Sequence, residues 1–387
     1  MLEVLRAVLT TNLALKPSER LLVFTDTISK GERPSPEEAR RREALRTIAS
    51  LMANMGRLLC RESVLVEYRA TGSHGAEPPE EVWEAALGAR TAGALRKARL
   101  MGPLLKKRAS PEEAARAGRI VMRGRRAAVD AVVALANYST SHTAFRHFLT
   151  ALCGTRYASM PLFDASMLEG AMGVDWRALE RRTREVAAVV DRAEAVEIKA
   201  PNGTRLAFSK SGRRAVPDTG LLTRAGSFGN LPAGEVYFAP VEGTAQGTLV
   251  LEWAPTRKLG SPVTLTVRDG LVTGVSGREP FRAELLARLG ERAENANIAE
   301  LGIGTNDRAS RPDNILESEK ILGTVHVALG DNSSFGGTVR TPFHQDFVLF
   351  QPTVTLVMRG GEERLLMKNG RFQGPLRPRP RAPRASK

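Results

Sequence analysis

The chain has little cysteine, few aromatics and no long apolar run, and each shortage removes a class of protein. Two cysteines, Cys60 and Cys153, cannot build the disulfide framework of a small secreted scaffold, which points to a reducing, cytoplasmic setting. No apolar stretch approaches the ~18 residues that a spanning helix requires, so no membrane partner is expected. The opening M-L-E-V-L-R-A-V-L is interrupted by Glu3 and Arg6 and has no small-residue cleavage site; it reads as an amphipathic helix, not a signal peptide. No G-x-G-x-x-G follows the first expected strand, and the glycine-rich D-N-S-S-F-G-G of residues 331–337 has no Walker lysine. A dinucleotide or phosphate cradle is therefore not expected.

Acidic residues are also in deficit: 57 Lys and Arg face 42 Asp and Glu, a net charge of +15. Five of those positive charges lie in the closing P-L-R-P-R-P-R-A-P-R-A-S-K, residues 375–387, which Pro punctuation marks as an extended, disordered basic tail. The rest could serve a polyanion, and a basic anion- or nucleic-acid-binding protein without catalysis is one hypothesis. Aromatics make up only 5% of the chain and no nucleic-acid motif is present. Solvated Arg-rich faces such as Arg40–Arg42 and Arg181–Arg182 are the better explanation, and nucleic acid is not expected as a partner.

What is present suits an enzyme-sized globular protein of two domains, at 387 residues and 42% hydrophobic. The first half alternates apolar strands (near Leu21–Thr25, Ser63–Tyr68, Ala131–Ala136 and Arg156–Met160) with helices. Two of these carry plain start signals, Ser35-Pro36 with Glu38, and Ser110-Pro111 with Glu113. That order predicts a parallel sheet covered on both faces, whose strand ends direct attention to Asp26 and to residues 139–143. Helix capping is the simpler role for Ser141 and Thr143. A charged helix over Leu179–Glu194 closes this half. Short strands with turn residues follow, including a hairpin around Asp269-Gly270, and one helix over Pro280–Leu289. The expected fold is α/β: an N-terminal α/β domain, 1–192, then a C-terminal β-rich α+β metal-binding domain, 193–374.

The strongest chemical signal lies between Asn297 and Phe350. The segments N-I-A-E-L-G-I-G-T-N, V-H-V-A-L-G and P-F-H-Q-D-F-V-L-F each set polar groups among apolar residues: Glu300, His326, His344 and Asp346. Strand alternation puts His344 and Asp346 on one side and turns His326 away from Val325, Val327 and Leu329. Two of only five histidines stand here beside carboxylates. A buried carboxylate costs several kcal/mol unless paired or bound to metal. Glu235, in G-N-L-P-A-G-E-V-Y-F-A-P, is a fourth strand-borne group.

Taken in order, G-N-L-P-A-G-E-V-Y-F-A-P, A-E-L-G-I-G-T-N, G-T-V-H-V-A-L-G and H-Q-D resemble the aminopeptidase T family of metallopeptidases, of leucyl aminopeptidase type. K-P-S-E-R-L-L-V-F-T-D and S-H-T-A-F-R extend the likeness over nearly all of the chain except the tail. The resemblance implies a homodimeric hydrolase that removes N-terminal residues from peptides with two divalent ions, zinc, cobalt or manganese. The implied ligands are Glu235, Glu300, His326, His344 and Asp346, with Glu300 as ligand or base. The family supplies a tyrosine shortly after H-x-A-x-G; this chain offers only Phe335, and Asp331 is either a substitute ligand or a turn former. The same superfamily contains mononuclear iron dioxygenases that cleave 2,5-dihydroxypyridine. On that alternative His326, His344 and Asp346 form a two-histidine, one-carboxylate iron site for a small-molecule substrate.

Overall fold

The computed structural model describes residues 1–376; residues 377–387, most of the expected basic tail, lie outside the described residues. The chain divides into two compact units, Met1–Trp176 with Gly220–Ala233, and Arg177–Thr219 with the chain from Gly234 onward. The division expected near residue 192 thus falls differently in two places. The Trp176–Val190 helix inserts Val186 and Val190 into the core of the second unit. The three-residue strand Phe228–Asn230 returns to the first unit, where it pairs beside Arg156–Ser159. F-G-N has no apolar alternation, so nothing in its composition announces it as a strand.

The first unit is built on a five-stranded parallel sheet in the order Glu62–Arg69, Arg20–Thr27, Ala131–Ala134, Arg156–Ser159, Phe228–Asn230. Leu21–Phe24 and Ala131–Ala134 are continuous buried apolar runs, as central strands of a covered parallel sheet are. Ser35 and Ser110 start their helices as their sequences predict: each hydroxyl accepts from the backbone N–H three residues on, and Glu113 completes a capping box. Thr143 caps the short Ala144–His147 helix in the same way. Ser141 does not; its hydroxyl joins Ser139 and Ser159 in a chain of hydroxyl hydrogen bonds.

Asp26 ends the first strand at the switch point where ligands of such sheets commonly sit. Here the protein itself fills the place. The buried carboxylate accepts from the backbone N–H groups of Asn137, at 2.7 Å, and Tyr138, at 3.2 Å. It ties the loop after the third strand to the end of the first.

The second unit is antiparallel throughout. An eight-stranded sheet runs from Leu271–Ser276 through Arg257–Arg268, Gln246–Ala254, Arg205–Ser209, Ala193–Lys199, Thr353–Met358 and Glu363–Lys368 to Arg371–Phe372. A five-stranded sheet has the order His344–Leu349, Val325–Gly330, Ile298–Gly304, Glu235–Phe238, Val216–Asp218. Both contribute alternate apolar residues to one core, Val196, Phe208 and Leu265 from the first, Phe238, Leu301 and Val327 from the second. The Asp269-Gly270 hairpin forms as its sequence predicts, with positive φ at both residues (49° and 77°). The α/β fold class, with its β-rich second half, is as expected. No helix among the described residues is long and apolar enough to cross a membrane.

If Asp26 is a structural tie, Asp26→Ala strands two backbone donors. It should lower unfolding free energy by about 1–3 kcal/mol in urea denaturation, and leave divalent-ion binding by the second unit unchanged.

Candidate metal centre

The five-stranded sheet has two unlike faces, and strand alternation accounts for both. Register sets Glu300, Ala328 and Asp346 abreast on neighbouring strands, with Gly302, His326 and Val348 abreast one step along. Residues abreast share a face, as do residues two apart, so His344, Tyr237 and Glu235 lie on that side too. The intervening residues, among them Val236, Leu301, Ile303, Val327 and Phe347, point the other way into the core. All five residues singled out from the sequence therefore converge on one face, carried by four strands.

Between them the face is paved with Gly302, Gly304, Ala328 and Gly330. Gly302 has the clearest task. A Cβ built there would stand 1.9 Å from His326 Cε1 and 2.1 Å from Nε2. The imidazole lies across bare backbone and so reaches past the next strand. Its Nε2 is 3.4 Å from Glu300 Oε1, 3.5 Å from Glu235 Oε2 and 3.9 Å from Asp346 Oδ1. The His344 Nε2 is 3.5 Å from both Glu300 Oε2 and Asp346 Oδ1. Its other nitrogen, Nδ1, donates to the Asp331 carbonyl at 2.7 Å, which aims Nε2 into the cluster. Glu300, His344 and Asp346 offer ligand atoms that all lie within 4.8 Å of one another.

Asp331 contributes that carbonyl, while its carboxylate accepts from Ser333 Oγ and the Thr341 N–H and so shapes the turn. Phe335, at the position considered for a tyrosine, stands edge-on to His344, with centroids 6.1 Å apart, and to Tyr237, at 5.6 Å.

Two members of the cluster have no forerunner in the sequence reading. Lys320 is completely buried, and its ammonium donates to Glu235 Oε1 at 2.6 Å and to Glu319 Oε2 at 2.7 Å. Residues 317–320, E-S-E-K, look like a solvated charged turn. The available signal was their position between apolar Leu316 and Ile321-Leu322, just ahead of the Val325–Gly330 strand.

The electrostatics follow from enclosure. Burial alone would lower both histidine pKa values. The Glu300 hydrogen bond with the charges of Glu235, Asp346 and Glu319 outweighs it for His326, which rises to about 9. Asp346 and Glu300 similarly lift His344 to about 10. Burial raises Glu300 and pushes Glu319 up to about 8. Asp346 is also penalised by burial, but the two imidazoles hold it below the usual carboxylate range.

Acceptors outnumber donors here. One Nε2 hydrogen on His326 faces three carboxylate oxygens. Glu235 Oε2 and His326 Nδ1 are buried without a hydrogen-bond partner among the described residues. Three carboxylates and two imidazoles on one sheet face fit a divalent cation of the iron, manganese or zinc kind.

A family model described as 2,5-dihydroxypyridine 5,6-dioxygenase (NicX) matches residues 164–373, over half of the chain and all of this cluster. The curated 2,5-dihydroxypyridine 5,6-dioxygenase of Pseudomonas putida KT2440 is 25% identical over 187 residues, which is 44% of this chain and 53% of that protein. The match thus spans about half the length of that relative. The solved structure of 2,5-dihydroxypyridine dioxygenase from Pseudomonas putida KT2440 shares the fold, with TM-score 0.64 at 19% identity over 97% of each chain. Wild-type AmpT from Thermus thermophilus shares it less closely, with TM-score 0.52 at 16% identity over 96% of this chain and 98% of that one.

These matches overturn the expected peptidase. The hydrolase, protease and metallopeptidase readings give way to a dioxygenase relationship, and the likeness to aminopeptidase T survives as a likeness of fold. The reason is physical: the motifs that carried the resemblance spell out one polar, glycine-paved sheet face, which reports the fold and not the reaction.

Two outcomes are expected of the geometry. Gly302→Ala displaces the His326 ring and should weaken divalent-ion affinity at least about tenfold in calorimetric titration. Held in chelator, the protein should lose stability as pH rises. Both histidine pKa values stand above the unfolded value near 6.5, at about 9 and about 10. Their contribution is complete below pH 6.5 and disappears as pH climbs through 9 to 10, which urea midpoints across that range would read.

Proposed function

The chain belongs to the 2,5-dihydroxypyridine 5,6-dioxygenase family, and from that we propose that it is a mononuclear iron dioxygenase opening a hydroxylated pyridine ring. The observation that carries the reading is the coincidence of the family match with the whole side-chain cluster. In this reading Glu300, His344 and Asp346 hold the ion, and His326 closes the set beside Glu300. Bound iron would supply the one-electron chemistry that lets O2 react with the ring.

The protein's own groups have separable tasks. The Asp331 carbonyl keeps His344 Nε2 turned to the site. Lys320 holds Glu235 at Oε1. The Phe335 ring, edge-on to His344, is a flat apolar wall against which a substrate ring can pack. Burial raises the Glu300 pKa, so its charged form favours a cation beside it. Breaking the bond between ring carbons 5 and 6 puts both atoms of one O2 on those two carbons, and no outside reductant is needed.

Protein loaded with Fe(II) should consume one O2 per 2,5-dihydroxypyridine in an oxygen electrode, and Asp346→Ala should cut the rate more than about 100-fold. Aminoacyl-p-nitroanilides should stay intact with zinc, cobalt or manganese. No oxygen uptake with this or any other hydroxypyridine would remove the proposal.

A further inference from the structure

We propose that Lys320 is a built-in cation that restricts this centre to a single metal ion. The inference rests on the metal reading above and concerns a residue that reading uses only to hold Glu235. Centres with two ions need carboxylates facing each other across the second charge. Glu235 and Glu319 face each other here, and the charge between them is an ammonium. Lys320 Nζ lies 2.6 Å from Glu235 Oε1 and 2.7 Å from Glu319 Oε2, with the lysine side chain wholly buried. A protonated amine has three donors and no lone pair, so it satisfies these oxygens without being able to bind metal.

The remaining oxygen of Glu235, Oε2, makes no hydrogen bond and faces His326 Nε2 at 3.5 Å. Glu235 is thus divided between a fixed positive charge on one oxygen and the imidazole on the other. A second dication at this end would meet the ammonium at close range in a water-poor setting, where like charges repel strongly. The other end of the cluster, Glu300, His344 and Asp346, has no lysine and gathers its ligand atoms within 4.8 Å. Both printed contacts of the lysine nitrogen are to carboxylate oxygens, the setting of an ammonium and not of a neutral amine.

The test counts ions. Metal-stripped wild type titrated with Mn(II), then gel-filtered and analysed for metal, should hold one ion per chain and show the paramagnetic resonance of an isolated ion. Lys320→Met should hold two, with the altered spectrum of an exchange-coupled pair. Its metal-free form should melt below wild type, because two facing carboxylates have lost their counter-charge, and the second Mn(II) equivalent should restore much of the loss. Lys320→Ala, which opens more room, provides the same reading if the methionine variant does not fold, and Lys320→Arg should stay at one ion. Two ions in the wild type would overturn the proposal, as would one ion in both the wild type and the folded Met or Ala variant. A wild type that takes up no ion at all would instead bring down the metal reading itself, and this inference with it.

Discussion

Three carboxylates of one sheet face, Glu235, Glu300 and Asp346, crowd together with Glu319 from the turn beside it, and the need to neutralise them governs the second unit. Burial leaves little water to do so, least for Glu235, Glu300 and Glu319, while Asp346 is half-buried. Carboxylates without counter-charges would cost several kcal/mol each. The protein supplies one fixed positive charge from Lys320 and two titratable ones from His326 and His344, and the histidines are lifted to about 9 and about 10 as a result. The arrangement is tolerated because a cation can join it. The same enclosure that makes the cluster costly makes it a strong ligand set.

Scaffold and chemistry divide the sheet between them by parity. Alternate positions on Glu300–Gly304, Val325–Gly330 and His344–Leu349 go to opposite sides, one to a core shared with the eight-stranded sheet, the other to the cluster. From Glu300 onward the antiparallel pairing is regular, so groups as distant in sequence as Glu235 and Asp346 both come within 3.9 Å of His326 Nε2. Small residues complete the device. Gly302 lets an imidazole lie flat across a strand, where any side chain would prevent it. The first unit, by contrast, spends its polar residues at the strand ends on itself: Asp26 is occupied with the loop at Asn137 and Tyr138.

The chain's relationship is to the dioxygenase family, and what it shares with AmpT is the fold. Motif order is informative about the surface and much less so about the reaction. Phe335 and Lys320 stand beside the cluster, and neither belongs to the motifs that carried the resemblance.

Much was legible in the chain because it follows from local rules. Period-two alternation assigned His326, His344 and Asp346 to a face, helix caps marked Ser35, Ser110 and Thr143, and Asp-Gly marked the hairpin at 269–270. Each of these depends on residues only a few places apart. The return of Phe228–Asn230 to the parallel sheet, the burial of Lys320 between Glu235 and Glu319, and the register that sets Glu300 beside Asp346 depend on partners tens of residues away. A charged E-S-E-K segment has the same sequence whether solvent or two carboxylates surround it. Only the folded chain decides between them, because desolvation and pairing are properties of neighbours in space.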